Sequence, residues 1–199
     1  MRFPAKGMRL YRDHLTMIGE RMRGMNKRDR VGIALGGGTP DRIPAAFWFH
    51  FVGEKAAGQP AIDAHIDYFK QCGCDMMKIM SDSYFDYAAS MEIKKPSDWY
   101  KLEPLGTSHP FYAGQIERAA AIAKAVKKDA LVYYTVFAPF SSIRSGYGDA
   151  LVMRMLKEDP DAVCHALDVI TEDTQMFMKA LFDVGVDGIY YSVQGGEKN

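Results

Sequence analysis

The sequence predicts an α/β fold, a (β/α)8 barrel of the TIM type of which the chain supplies only the first four β/α units, a half barrel. Four apolar, β-rich runs recur, and each meets a polar residue or a proline where a strand would end: Phe49-His50-Phe51, Met80-Ser81-Asp82, Phe137-Ala138-Pro139 and Tyr191-Ser192-Val193-Gln194. Helical stretches separate the runs, so the strands are most simply parallel, and their C-terminal ends converge on one mouth where such folds place chemistry. Strand starts near Pro44, Asp75, Leu131 and Asp187 span about 145 residues. Eight units at that spacing would need about twice the length, in line with the roughly 250 or more residues of barrels with insertions. Four strands alone leave the first and fourth as open edges, so the expectation is a fragment of a longer protein or a chain completed by association. A four-stranded doubly wound domain is the competing architecture.

The segment before Met25 is rich in Arg and Met without a clean apolar face, so residues 1–24 read as either a translated extension or a loose basic preamble, and residues 25–199 as the half-barrel domain. A short helix after Met25 is expected to end at Gly36-Gly37-Gly38. That triple glycine precedes a strand, whereas phosphate loops follow one, so it reads as a turn. Residues 43–51 supply the first predicted strand, with Pro44 at its entrance where a missing N–H does least harm. A helix is expected over residues 61–71, and Met76, Met77, Ile79 and Met80 form a second strand, nearly continuous in apolar character.

An irregular region with Pro96 and Pro104 follows, then a helix with Ile116, Ala119, Ala120, Ala123 and Val126 at helical spacing. Residues 131–137, Leu-Val-Tyr-Tyr-Thr-Val-Phe, are the third strand. The next long helix is marked at both ends: Asp159 as cap, Pro160 at the first position and Gly185 at its close. Residues 187–192 form the fourth strand.

The 199 residues carry 25 basic and 25 acidic side chains, a balance that gives no global attraction to nucleic acid or anionic membranes. Nine Lys/Arg against three Asp/Glu fall within residues 1–30, but without the clustering of a nucleic-acid arm. No run approaches the roughly 18–20 apolar residues of a membrane span, and no secretory signal is visible, so the expected location is cytoplasmic. Cys72, Cys74 and Cys164 are too few and too odd for a disulfide framework. Cys72-Gly73-Cys74 supplies at most half a tetrahedral metal site, and buried structural thiols are the favoured reading, so no metal ligands are assigned.

After Met25 the chain resembles the N-terminal half of the uroporphyrinogen decarboxylase superfamily, which includes that decarboxylase and the related cobalamin-dependent methyltransferases. The pieces that carry the resemblance are Arg30-Val31 through Pro40-Asp41-Arg42-Ile43-Pro44, Ser81-Asp82 with Ser90-Met91-Glu92-Ile93, Ala138-Pro139-Phe140, and Glu158-Asp159-Pro160 followed by residues 180–189. The resemblance implies that Asp82 takes the place of the catalytic aspartate that binds pyrrole N–H groups and stabilises a protonated pyrrole; the alternative is that it caps a turn. Ser192 falls on a serine of the family's substrate pocket. The family's arginine-rich signature after the first strand, which clamps substrate carboxylates, is replaced here by Trp48-Phe49-His50-Phe51-Val52-Gly53, and its tyrosine after the Ala-Pro motif falls on Ser145, with Tyr147 and Arg144 nearby as substitutes.

His50 at the rim is either an acid or base that works near neutral pH or a packed core histidine, whereas His65 reads as structural. Trp48, Phe51, Tyr84, Phe85 and Tyr87 suit a flat tetrapyrrole face or ordinary core packing. Three functions follow as expectations. The first is decarboxylation of a tetrapyrrole carboxylate side chain, without cofactor. The second is methyl transfer with a corrinoid and a zinc whose ligands lie outside this chain. The third is a noncatalytic half barrel that binds a partner, either a second copy or a missing C-terminal half.

Overall fold

The computed structural model describes residues 24–89 and 91–193. The preamble reading therefore lies almost wholly outside the described residues, as do Ser90 and Gln194. The architecture is mixed α/β: a three-stranded parallel sheet of β1 (Met76–Ile79), β2 (Leu131–Phe137) and β3 (Gly188–Ser192) in sequential order, joined by helical crossovers.

Helix α1 (Lys27–Leu35) is capped by the Asn26 side chain, which accepts from the Asp29 N–H, and it ends at the triple glycine, where Gly37 adopts φ +77°. The turn reading of that segment holds. Helix α2 (Gly58–Cys72) closes on Gly73 in the left-handed conformation. Helix α3 (Pro110–Val126) crosses from β1 to β2. Between β2 and β3 run α4 (Pro139–Tyr147), α5 (Asp149–Glu158) and α6 (Pro160–Asp183); the Asp159 carboxylate caps α6 by accepting from the Ala162 N–H. Helices α4 and α5 add two elements that the sequence reading passed over.

Paired residues of a parallel sheet share a face and alternate along each strand. Met77, Ile79, Val132, Tyr134 and Val136 therefore face one way, and all are buried in the core with Ile122, Ile170 and Leu181 of the helices. Tyr134 donates to Gln115 of α3 at 3.2 Å and meets Phe177 of α6 edge-on at 5.7 Å. Lys78, Tyr133, Thr135, Phe137, Tyr190 and Ser192 face the other way. Gly188 makes room there, because a Cβ at that position would collide with the Tyr133 ring. This second face is covered in part by Phe85, edge-on to Phe137 at 5.6 Å, and by Trp48.

The expected first strand is corrected. Residues 43–51 run beside β1 without forming a ladder. Asp75 N–H donates to the Ala45 carbonyl at 2.8 Å, but Ala45 N–H turns to the Asp75 carboxylate and Phe47 N–H to the Cys74 thiol. Side chains of residues 74 and 75 thus take the donors that a ladder needs, and Pro44 has none to offer. The buried-thiol reading is corrected in half: Cys74 is buried under this segment, whereas Cys72 at the end of α2 is exposed.

The N-terminal end of the sheet is tied by ions. Asp75, fully buried, accepts from Arg30 Nη1 (2.7 Å), Arg42 Nη1 (2.6 Å) and Arg42 Nη2 (2.8 Å), and Arg30 also grips Asp41. Burial pushes the Asp75 carboxyl up, but the Ala45 N–H and the two guanidiniums outweigh it and hold the pKa below the ordinary value. Arg28 and Asp187 repeat the device under β2 and β3, with Asp187 also accepting from Val132 N–H.

Candidate functional site

Beyond the C-terminal end of β1 the chain makes a tight turn, with Tyr84 N–H donating to the Ser81 carbonyl at 2.8 Å and Ser83 at φ +70°. A non-glycine residue in that region costs about 1–2 kcal/mol, and such positions cluster at functional sites. The turn presents Asp82, only 2% exposed. Its Oδ1 lies 2.8 Å from His50 Nδ1 and its Oδ2 accepts from the Phe51 N–H at 2.9 Å. Both carboxylate oxygens are thus engaged by the extended segment, and neither caps the turn that follows. Opposite an ionised Asp82, which only accepts, a neutral His50 ring donates from Nδ1 and presents Nε2 as its acceptor. The His50 side chain is 58% exposed, and no hydrogen bond reaches Nε2 from the described residues. The packed-histidine alternative fails on that exposure.

His65 takes that other role. It is buried on α2, with Nδ1 donating to the Ala61 carbonyl at 2.7 Å and Nε2 accepting from Met80 N–H at 3.1 Å. Burial lowers its pKa, which keeps it neutral. It braces the end of β1 and packs at a tilt of 55° against Phe51, with ring centroids 4.7 Å apart.

Arg118 was not singled out from the sequence, because a lone arginine in an alanine-rich helix reads as a solvated residue. It is 2% exposed and donates to the carbonyls of Met80 (2.9 Å), Asp82 (3.1 Å) and Ala56 (2.6 Å), with its guanidinium over the Tyr84 ring at 5.1 Å. It thereby ties the Asp82 turn to the chain just beyond His50, fixing both sides of the His50–Asp82 contact. Tyr84 itself backs the site rather than lining its mouth: its ring is edge-on to Phe111, and a Cβ at Gly114 would collide with its hydroxyl. With Ser81 and Thr135 it borders a cavity of about 20 Å³, enough for one water, into which the buried, unpartnered Ser81 hydroxyl fits as a ligand.

The remaining candidates divide. Trp48 joins the open face of the sheet, with Lys78 Nζ over its ring at 3.6 Å and over Tyr190 at 3.4 Å. Lys78 too was missed, although one charge inside the apolar run Met76-Met77-Lys78-Ile79-Met80 is a readable signal. Ser192 shares that face in register with Phe137, and its carbonyl accepts from the Ala138 N–H at 3.0 Å. Arg144 and Tyr147 on α4 are occupied elsewhere: Arg144 forms a two-pronged ion pair with Asp149, and Tyr147 packs edge-on against Trp99 at 5.2 Å in the core. The structure therefore brings together His50 and Asp82, and separately Trp48 and Lys78.

Among the described residues no group of three or more His, Cys, Asp or Glu side chains converges on a metal-sized site, and no helix is long and apolar enough to cross a membrane. Comparison with the models of known protein families and with curated proteins finds no match.

Proposed function

We propose that this chain is the N-terminal half of a (β/α) barrel resembling the uroporphyrinogen decarboxylase superfamily, and that its C-terminal rim protonates a tetrapyrrole during loss of a carboxylate side chain. The observation that carries the reading is the buried Asp82 carboxylate holding an exposed His50 by Nδ1 at 2.8 Å. Decarboxylation replaces CO2 by a proton, so the site needs a group that delivers one near neutral pH. An imidazole with one nitrogen anchored and the other turned outward is such a group. Asp82 acts here through His50, orienting the ring and stabilising the imidazolium, rather than by direct contact with pyrrole N–H groups. Sequential parallel strands joined by helical crossovers support the half-barrel reading.

A second reading, methyl transfer with a corrinoid, is favoured by one feature: exposed aromatics, Trp48 and Phe49, stand where an arginine clamp is expected. A flat face without clamping cations suits a macrocycle better than its carboxylate arms. Anaerobic incubation with an acetate-bearing porphyrinogen, followed by chromatography of the oxidised products, separates the two. Stepwise loss of carboxylates, reduced about 10²–10⁴-fold in His50→Gln, is expected for proton delivery. No loss of carboxylate, together with demethylation of methylcobalamin, would transfer the assignment to the second reading.

A further inference from the structure

We propose that Lys78, with Trp48 and Tyr190, binds the carboxylate arm of a flat aromatic ligand on the open face of the sheet; this rests on the assignment of proton chemistry to the adjoining C-terminal rim. Lys78 is only 9% exposed, and among the described residues its ammonium group has neither an ion-pair partner nor a hydrogen-bond acceptor. Two ring faces at 3.4 and 3.6 Å attract the cation but accept no full hydrogen bond, so its N–H donors keep capacity for a true acceptor. Burial alone lowers its pKa, to about 8, with no charged neighbour contributing, and it remains a cation at neutral pH.

A carboxylate supplies both missing elements, an opposite charge and acceptor oxygens, and partial desolvation strengthens the contact. One ammonium matches one carboxylate in charge; a phosphate dianion calls for a second positive charge, and no other strand residue on this face is cationic. The rings suit the body of the ligand. Trp48 and Tyr190 are 45% and 46% exposed, so each keeps a free flank for stacking. His50 follows Trp48 by two residues, about 7 Å along an extended chain.

The test uses the full chain and two probes of one shape, phenylacetate and its uncharged amide, phenylacetamide. Trp99 is wholly buried, so changes in tryptophan emission report on Trp48. Saturable quenching is expected with phenylacetate, at least about tenfold weaker with phenylacetamide, as for a hydrogen-bonded charge pair. Lys78→Met should remove the preference, Lys78→Arg should restore most of it, and Trp48→Phe should remove the signal. Equal affinity of the wild-type protein for both probes overturns the proposal, whether or not Lys78→Met folds by circular dichroism. Quenching by phenylacetate that persists unchanged in a folded Lys78→Met protein overturns it as well. His50→Gln should bind phenylacetate within about twofold of wild type, since no direct contact is removed. A protein that binds phenylacetate but turns over no porphyrinogen therefore counts against the proton chemistry alone, and the opposite pattern against the Lys78 site alone.

Discussion

The two ends of one small sheet spend their charges differently. At the N-terminal end, Arg30, Arg42 and the buried Asp75 are fully paired, and Arg28 and Asp187 are matched likewise. At the C-terminal end, the buried Asp82 is paired with an imidazole that is itself exposed, and the nearby cations Arg118 and Lys78 have no carboxylate partner among the described residues. Closed pairs stabilise without reacting, whereas an anchored histidine and an unmatched ammonium keep capacity for something that is not protein. The Arg30, Asp41 and Arg42 positions that carry part of the proposed family resemblance thus serve the fold, and the proposed chemistry is assigned to the rim.

Substitutions at the two ends should separate activity from stability. The largest effect is expected from His50→Gln: a loss of turnover of about 10²–10⁴-fold, with a stability cost of no more than about 1–3 kcal/mol from the donor removed from the buried Asp82 carboxylate. Steady-state assay beside calorimetry checks both numbers. At the other end, Asp75→Ala removes the buried carboxylate shared by Arg30, Arg42 and the Ala45 N–H and should cost about 3–5 kcal/mol, read by urea unfolding. Retention of wild-type stability there would erase the contrast. Asp82→Asn keeps shape but loses charge and the imidazolium partner; activity should fall in the steady-state assay, by less than for His50→Gln.

Acid sharpens the same comparison. The hydrogen bond and charge of Arg30 hold the Asp41 carboxyl at about 2 against an ordinary 3.8, and Asp75 is also lowered. A carboxylate with a depressed folded pKa contributes stability that is complete above the unfolded value and lost as pH falls toward the folded one. Melting temperature should therefore be steady from pH 7 to about 5 and fall between about 4 and 2, less steeply in Asp41→Asn. The smallest effect concerns Lys78: Trp48 emission should titrate with a midpoint near 8 as the ammonium loses its proton, and Lys78→Met should abolish that titration.

What the sequence revealed follows from how local each signal is. Residues 131–137 are legible because seven β-forming residues stand between turn signals, and β2 has the same bounds. Asp159-Pro160 marks the start of α6 by its own capping chemistry. Residues 43–51 have the composition of a strand yet form no ladder, since a ladder needs a neighbour's backbone and the side chains of Cys74 and Asp75 take its donors. His50 and Asp82 are each legible as rim residues, but their contact joins positions 32 apart through a segment that the sequence assigns to a different structure. Arg118 stayed hidden because its partners are backbone carbonyls, which leave no trace in residue identity.

The most direct test of Asp82 as the orienter of a working histidine needs no substrate. Nitrogen-15 correlation spectra of the histidine rings, assigned with His50→Gln, report which nitrogen carries the proton in the neutral ring. Protonation of His50 at Nδ1, lost in Asp82→Asn, is the expected result; a neutral ring protonated at Nε2, unchanged in that variant, would contradict it.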